Sequence, residues 1–536
     1  MKKIYNQLNI LSFVIIIIAT ALYLPTPSSW LRSGKIYVSP QGHDWLWGST
    51  PSLAVRTIQR AVNMASAGEE IVIMPGIYRE TIHIRNSGSK DNPITLKAHQ
   101  SGTVTITNAV TSEVVQSLTW TSEGDDIFST QPPWNVYRVA YEGQNLYHAH
   151  WGFNLDKFRA LVKRKNAYGA FYFDANTQKL YVFLPKGKAL SNITIPKKVP
   201  SPDQFGNVTP VANVWVEANH LIFEGLQFDF GIGSGILLWN ASHILIKDCL
   251  FSGSAHGISD NYGIHSIKDI TVEYSLYHNY PQYDWLENWL TWREVYSTAG
   301  NSALVNLKAS EVVIRNNIVA HTGDGMQVSP QEQNNQRFGA KIYHNLFFKG
   351  TDDAIEFDGQ AQDVHVYENL VYDYFVSLGL SPVLKGPVNI ENNLFLHPYK
   401  DGQENYPTHL KLLNPWFKPD NPKNDSNTIR NITLFNNVFV GNWLAWWHEA
   451  PVKDTVIKDN LFAVQRVMQP PLPDGVVEKN NKMINLPLSG YPNPVTDEGW
   501  LKHNDWQPLE VGPRWLKLKE FPATQDVDLL SPNLIK

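Results

Sequence analysis

At 536 residues the chain is longer than one ordinary globular core, and its 43% hydrophobic and 18% charged residues exclude a disordered polymer. A formal net charge of −5 offers no basic surface for nucleic acid, and an anionic polymer would need local cations or a bound metal to be held. The single cysteine, Cys249, excludes intrachain disulfides and is expected to be a buried structural thiol rather than a reactive one.

Lys2 and Lys3 precede an apolar run from Ile10 to Leu24, short for a spanning helix but suited to the hydrophobic part of a secretory signal. Ala19-Thr20-Ala21 offers a small-x-small cleavage site, while Leu22, Tyr23 and Leu24 just after it equally allow an uncleaved anchor. Residues 1–24 are expected to be a signal peptide or signal anchor, and the rest of the chain an exported protein: periplasmic, secreted, or anchored by this segment. No other contact with the membrane is expected.

Residues 36–110 are expected to form an N-terminal cap and the first coils of a solenoid. Ile58, Ala61, Val62 and Ala65 share one helical face, which predicts a helix lying over the open end of the first coil, with Gly68 ending it. Such a cover matters because an open solenoid end presents unpaired strand edges. From 111 to 205 the coil pattern fades into an inserted β-rich subdomain, in which GAFYFDANTQKLYVFLP (169–185) reads as a hairpin around Asp174-Ala175-Asn176.

Residues 206–465 carry the main repeat. Nine copies of one pattern occur: an aliphatic residue, two variable residues, a small polar residue, then two apolar positions. Their fourth positions are Gly225, Cys249, Ser275, Asn317, Asn345, Asn369, Asn393, Asn437 and Asn460. A spacing near 24 residues with β-type alternation predicts strands that bury their apolar face only by stacking coil on coil. The unbroken run of Asn predicts a ladder, because coils stack about 4.8 Å apart and each amide can reach the next. The fold class is therefore all-β, a parallel β-helix. Residues 466–536, with MQPPLPDG (468–475) and YPNPVTDEGW (491–500), are expected to form an irregular C-terminal tail.

Aligning coils on the ladder residue superposes the strands GSGILLW (233–239), AHGISDN (255–261), GDGMQVS (323–329) and DDAIEFDG (352–359). Ile236, Ile258, Met326 and Ile355 are expected to point inward. One outward column contains Ser234, His256, Asp324 and Asp353; the next Leu237, Ser259, Gln327, Glu356, Ser381 and Lys411; a third Ser329 and Asp358. Asp324 and Asp353 then lie on neighbouring coils roughly 5 Å apart, where two carboxylates cannot both stay ionised without a proton or a cation between them. Asp352, Asp353, Glu356 and Asp358 supply oxygens enough to predict a Ca²⁺ site. No other cofactor is expected.

Two long insertions flank these columns. The segment 278–300 holds Trp285, Trp289, Trp292 and Arg293, and the segment 397–428 holds Tyr399, Tyr406 and Trp416. Aromatic faces stack on the apolar faces of sugar rings, so these loops suit a glycan; helical spacing of Leu286, Trp289 and Leu290 also allows a lid packed on itself. Trp446-Trp447-His448-Glu449 lies on the same wall and provides a further candidate subsite.

IYVSPQGHD (36–44), RTIQRAVNMASAGEEIVIMPGIYRETIHI (56–84) and NPITLKAH (92–99) resemble the N-terminal cap of secreted right-handed β-helix proteins of the pectate-lyase-like superfamily. The resemblance implies that the strands carrying Asp324 and Asp353 form the wall of a substrate groove, and the hairpin region is similar to a small insertion found in several β-helix carbohydrate enzymes. The string around His256 is similar to a Gly-His-Gly motif of β-helix polygalacturonases, but Ala255 replaces the first glycine and the aspartate motifs do not follow in order. DDAIEFDG followed by VSLGLSPVLKGPVNIENNLF (376–395) is closer to bacterial β-helix proteins of mostly unassigned chemistry.

Three functions fit. A polysaccharide lyase or epimerase acting on a uronate glycan is the leading expectation: Ca²⁺ on the acid cluster, Lys411 or His256 as base, Arg293 as carboxylate clamp. A glycoside hydrolase would use a pair among Asp324, Asp353 and Glu356 without metal. A non-catalytic glycan-binding or exopolysaccharide-associated scaffold would need only the groove, with Gln327, Trp285, Trp289, Trp292 and Trp447 touching the sugar. In each case the partner is a polysaccharide and the protein is expected to be a monomer.

Overall fold

The computed structural model describes residues 34–136, 138–142, 144–149, 154–164, 169–184, 186–197, 212–260, 267–278, 303–330, 339–357, 359, 361–397, 407–412, 428–447, 451–469 and 474–487. The expected signal segment 1–24, almost all of the insertion 278–300, most of 397–428 and the chain beyond 487 lie outside them. Among the described residues, no helix is long and apolar enough to cross a membrane.

The helix Ile58–Met64 buries Ile58, Ala61, Val62 and Met64. Thr57 caps it by accepting from the Arg60 N–H, and Glu80 accepts from the Ile58 and Gln59 N–H groups, so three orphan donors of the first turn are satisfied. It ends at Met64, before Gly68, because Ala65 already has extended backbone.

The coils then stack in parallel. One sheet of thirteen strands forms one side, with the register Leu221↔Ile244↔Ile270↔Val312↔Ala340↔Val364↔Val388↔Ile432. A second, seventeen-stranded sheet wraps the other sides. One continuous apolar core runs through the interior, where Phe395 stacks on Phe439 at 4.8 Å and Phe439 on Phe462 at 5.2 Å. The offset ring stacking adds about 0.5–1.5 kcal/mol per pair to the burial itself.

The expected Asn ladder is present and fully hydrogen-bonded. Asn369 shows the pattern. Its Oδ1 accepts from both the N–H and the Nδ2 of Asn345 at 3.0 Å; its Nδ2 donates to Asn393 Oδ1, to Ile342 O and to Tyr367 O. The residue before each ladder Asn has left-handed backbone, with φ of 56° at Asn316, 55° at His344 and Glu368, 56° at Asn392 and 52° at Asn436. This bends the chain at each coil's corner, where Asn and Asp are the side chains that tolerate it best. Towards the N-terminus the column continues through shorter side chains: the Ser275 N–H donates to Asn317 Oδ1, and the Cys249 N–H to Ser275 Oγ. Cys249 is a buried free thiol, and burial pushes it up to about 12.

The ladder runs one coil further than the repeat pattern predicts. Val476–Lys479 and Lys482–Asn485 pair in parallel with Thr455–Lys458 and Leu461–Gln469, and Asn481 accepts from Asn460. The tail expected to be irregular from 466 thus contains a terminal coil. Its outer side is exposed, as at Val477 and Met483, so its sequence, VVEKNNKMIN, lacks the apolar signature of the inner coils. The inserted subdomain holds the expected hairpin, Ala170–Asp174 against Lys179–Phe183, within a five-stranded sheet with its own core.

Candidate functional site

The groove wall is built where the second sheet turns a corner. Gly350 pairs with Tyr374, but Asp353 pairs with Val376, so residues 351–352 contain one extra residue. Such a bulge re-aims the side chains that follow it. Alternation alone would send Asp353 to the same side as the inward Ile355, yet its carboxylate contacts Lys411, whose column carries Glu356.

The register then fixes the outward columns. Asn306↔Gln327↔Glu356↔Gly379↔Lys411↔Trp446 forms one of them. Lys411 belongs to it as expected, but Gly379, not Ser381, occupies the position between Glu356 and Lys411. Two residues of offset had been hidden by the variable corner. Asn306 is a member that pattern matching missed, because the insertion 278–300 displaces its strand from the ladder residue. Its signal was an Asn between the apolar pair of ALVNL (303–307).

Asp324, Asp353 and Glu356 come together: one oxygen from each lies within 4.8 Å of the others. The Asp353 N–H donates to Asp324 Oδ1 at 3.2 Å, and Gln327 Nε2 donates to Glu356 Oε2 at 2.9 Å. Lys411 Nζ is in direct contact with Asp353 Oδ2 and lies 3.7 Å from Glu356 Oε1. Asp353 is fully buried, and its Oδ1 has no hydrogen-bond partner among the described residues. Glu356 and Lys411 keep 14% of their side chains exposed, so the cluster meets solvent on their side.

Burial, then Glu356, Asp352 and Asp353, hold the Asp324 carboxyl well above the usual carboxylate range. Burial also raises Asp353, but there the Lys411 ammonium is the strongest opposing influence, whereas on Asp324 it is the weakest of those acting. A shared proton therefore resides preferentially on Asp324. Burial disfavours the charge on Lys411, yet Asp353, Asp352 and Glu356 outweigh it and keep this side chain an ammonium above its ordinary pKa.

His256 sits on the same wall, with Nε2 3.3 Å from Asn306 Nδ2. It pairs in register with Ala303, a coil before Asp324, which places it two coil spacings, about 10 Å, from Asp324 and three from Asp353 and Glu356. The structure does not bring it to the cluster. Trp447 is in the strand that pairs with Lys411's strand. Trp285, Trp289, Trp292, Arg293 and Asp358 lie outside the described residues.

A family model described as a right-handed β-helix region matches residues 212–395, and one described as chondroitinase B matches residues 53–116. The uncharacterised protein YwoF of Bacillus subtilis (strain 168) is 34% identical over 91 residues, which make up 17% of this chain and only 19% of that protein. Among solved structures the chain is similar to a glycoside hydrolase (TM-score 0.47, 12% identity, 85% of this chain and 98% of that one). It is also similar to the pectate lyase Pel9A (0.41, 12%, 82% and 81%) and to the A-module of the Azotobacter vinelandii mannuronan C-5 epimerase AlgE4 (0.42, 9%, 80% and 91%). The parallel registers, the Asn ladder and the matched β-helix region make this chain a right-handed parallel β-helix.

Proposed function

We propose that this is a carbohydrate-active β-helix protein that hydrolyses a glycosidic bond in a neutral glycan. The observation that carries the reading is the buried grouping of three carboxyls within 4.8 Å around a single ammonium. Hydrolysis needs one carboxylic acid that keeps its proton and one carboxylate, about 5 Å apart in a retaining enzyme. Asp324 suits the proton donor. Glu356, more accessible and steadied by Gln327, suits the carboxylate that attacks or activates water. Asp353 and Lys411 form the buried pair behind them.

The surroundings disfavour a uronate. Among the described residues, an anionic sugar would face Asp352, Asp353 and Glu356 with one lysine already paired. A resident Ca²⁺ fits this cluster poorly, because the Lys411 ammonium stands against Asp353 and Glu356 and competes with a cation for their oxygens. Lys411 held as an ammonium is also no proton-abstracting base. The lyase or epimerase reading keeps one observation of its own, the chondroitinase B match over residues 53–116.

Incubating the exported domain with a panel of neutral and uronate polysaccharides, with Ca²⁺ and with chelator, tests the proposal. New reducing ends that survive chelation are expected. Ultraviolet absorbance of an unsaturated product, lost with chelator, would replace the proposal by a lyase. Binding without cleavage would leave a scaffold.

A further inference from the structure

Along the groove, an outward side chain of one coil meets the neighbouring column of the next coil diagonally. Ser234 Oγ lies 2.5 Å from Ser259 Oγ, and His256 Nε2 lies 3.3 Å from Asn306 Nδ2. The coil of Asp353 breaks this scheme. Its diagonal neighbour is Gly379, where a Cβ would stand 2.4 Å from Asp353 Oδ2 and 2.7 Å from its Cγ, closer than side chains pack. Backbone freedom is not the reason for this glycine, since it does not have positive φ. That space is taken by the Asp353 carboxylate itself, and Lys411, which pairs in register with Gly379 one coil further on and lies 58 residues from Asp353 in sequence, meets its Oδ2 there.

We propose that Gly379 is a positioning residue: having no side chain, it opens the passage in which the Asp353 carboxylate meets Lys411 from the coil beyond, and so keeps Asp353 paired with an ammonium. The consequence for rate rests on the hydrolytic reading above, but the pairing itself can be tested without any substrate. With the passage open, the buried charge of Asp353 is neutralised by an ammonium, and the cluster's proton is left to Asp324. With the passage closed by even a methyl group, Asp353 must move or lose its partner, and an unpaired buried carboxylate is costly wherever it is ionised.

The test is thermal unfolding of the whole exported protein across about pH 4 to pH 8 for Gly379→Ala, Lys411→Met and the double variant. An unpaired Asp353 has a higher native pKa than a paired one, so each variant loses stability relative to wild type as pH rises through the already raised native value of paired Asp353 towards that of the unpaired group. The expected result is a melting-temperature deficit several-fold larger at the upper pH than at the lower, no greater in the double variant than in Lys411→Met alone. A deficit in Gly379→Ala that is the same at every pH, or that simply adds to that of Lys411→Met, overturns the proposal. If Gly379→Ala does not fold, adding Asp353→Ala removes the colliding carboxylate: recovery of folding supports the assignment and persistent misfolding overturns it. A pH-dependent deficit in a protein that cleaves no glycan would overturn the hydrolytic reading and leave the role of Gly379 standing.

Discussion

Lys411 contacts Asp353 across an intervening coil, a pairing that neither residue's own strand neighbours supply. Asp353 pairs in register with Val376 and then Thr408, while Lys411 shares its column with Glu356. A two-coil reach of this kind makes the acid cluster depend on three coils at once.

Asp324→Asn is expected to reduce glycan hydrolysis by about 10²–10⁴-fold, because an amide cannot deliver the proton. Wild-type activity should fall on the alkaline side as the raised Asp324 carboxyl loses its proton, and the pH–rate profile of any residual activity in the variant should lack that limb.

The same group shapes stability. Its native pKa is raised, so the native state binds the proton more tightly than the unfolded chain, and wild-type stability falls as pH rises above about 3.9 towards the native value. Asp324→Asn should flatten that decline. Calorimetric unfolding at several pH values measures it, and an unchanged slope would remove Asp324 as the proton holder.

Asn369→Ala removes an acceptor used twice by Asn345 and a donor to three oxygens, all buried. A loss of about 2–4 kcal/mol is expected in denaturant unfolding. Asn481→Ala, at the partly exposed end of the ladder, should cost less than half as much.

Calcium offers a check on the role of Lys411. Wild-type melting temperature should be indifferent to Ca²⁺ and to chelator. Lys411→Met, which leaves the carboxyls without their ammonium, should acquire a Ca²⁺-dependent rise.

Cys249 should resist a thiol reagent in the native state and react only on unfolding, because its thiol is buried and its pKa is pushed up to about 12. Rapid native labelling followed by colour development would show that this part of the ladder opens.

The fold was legible in the sequence because a solenoid writes the same requirement once per coil. Asn317 to Asn460 announce the ladder, and the column of Gln327, Glu356 and Lys411, with Asp324 and Asp353 beside it, follows from counting forward. The count failed where the corner between the two sheet faces varies in length: Ser381 stood in for Gly379, and Asn306 was lost behind an insertion. The bulge before Asp353 carries no residue signature of its own; it is an outcome of packing around Gly350 and Tyr374. Absence of a side chain is equally hard to read as a function. Gly379 acquires meaning only beside Asp353 and Lys411, residues far from it in the chain.

Ser275 and Asn317 are 42 residues apart, Asn369 and Asn393 are 24 apart, and Asn393 and Asn437 are 44 apart, yet in each pair the first residue's backbone N–H donates the same hydrogen bond to the second's Oδ1 at 2.9–3.0 Å. The ladder therefore counts turns and is blind to how much chain each turn spends at the rim. Loop length becomes an independent variable: segments can lengthen, shorten or be exchanged between turns without disturbing the rungs on either side. A scaffold of this kind can acquire new specificity by loop grafting while its spine stays fixed, and transplanted rim segments are the natural material for redesigning what the groove accepts.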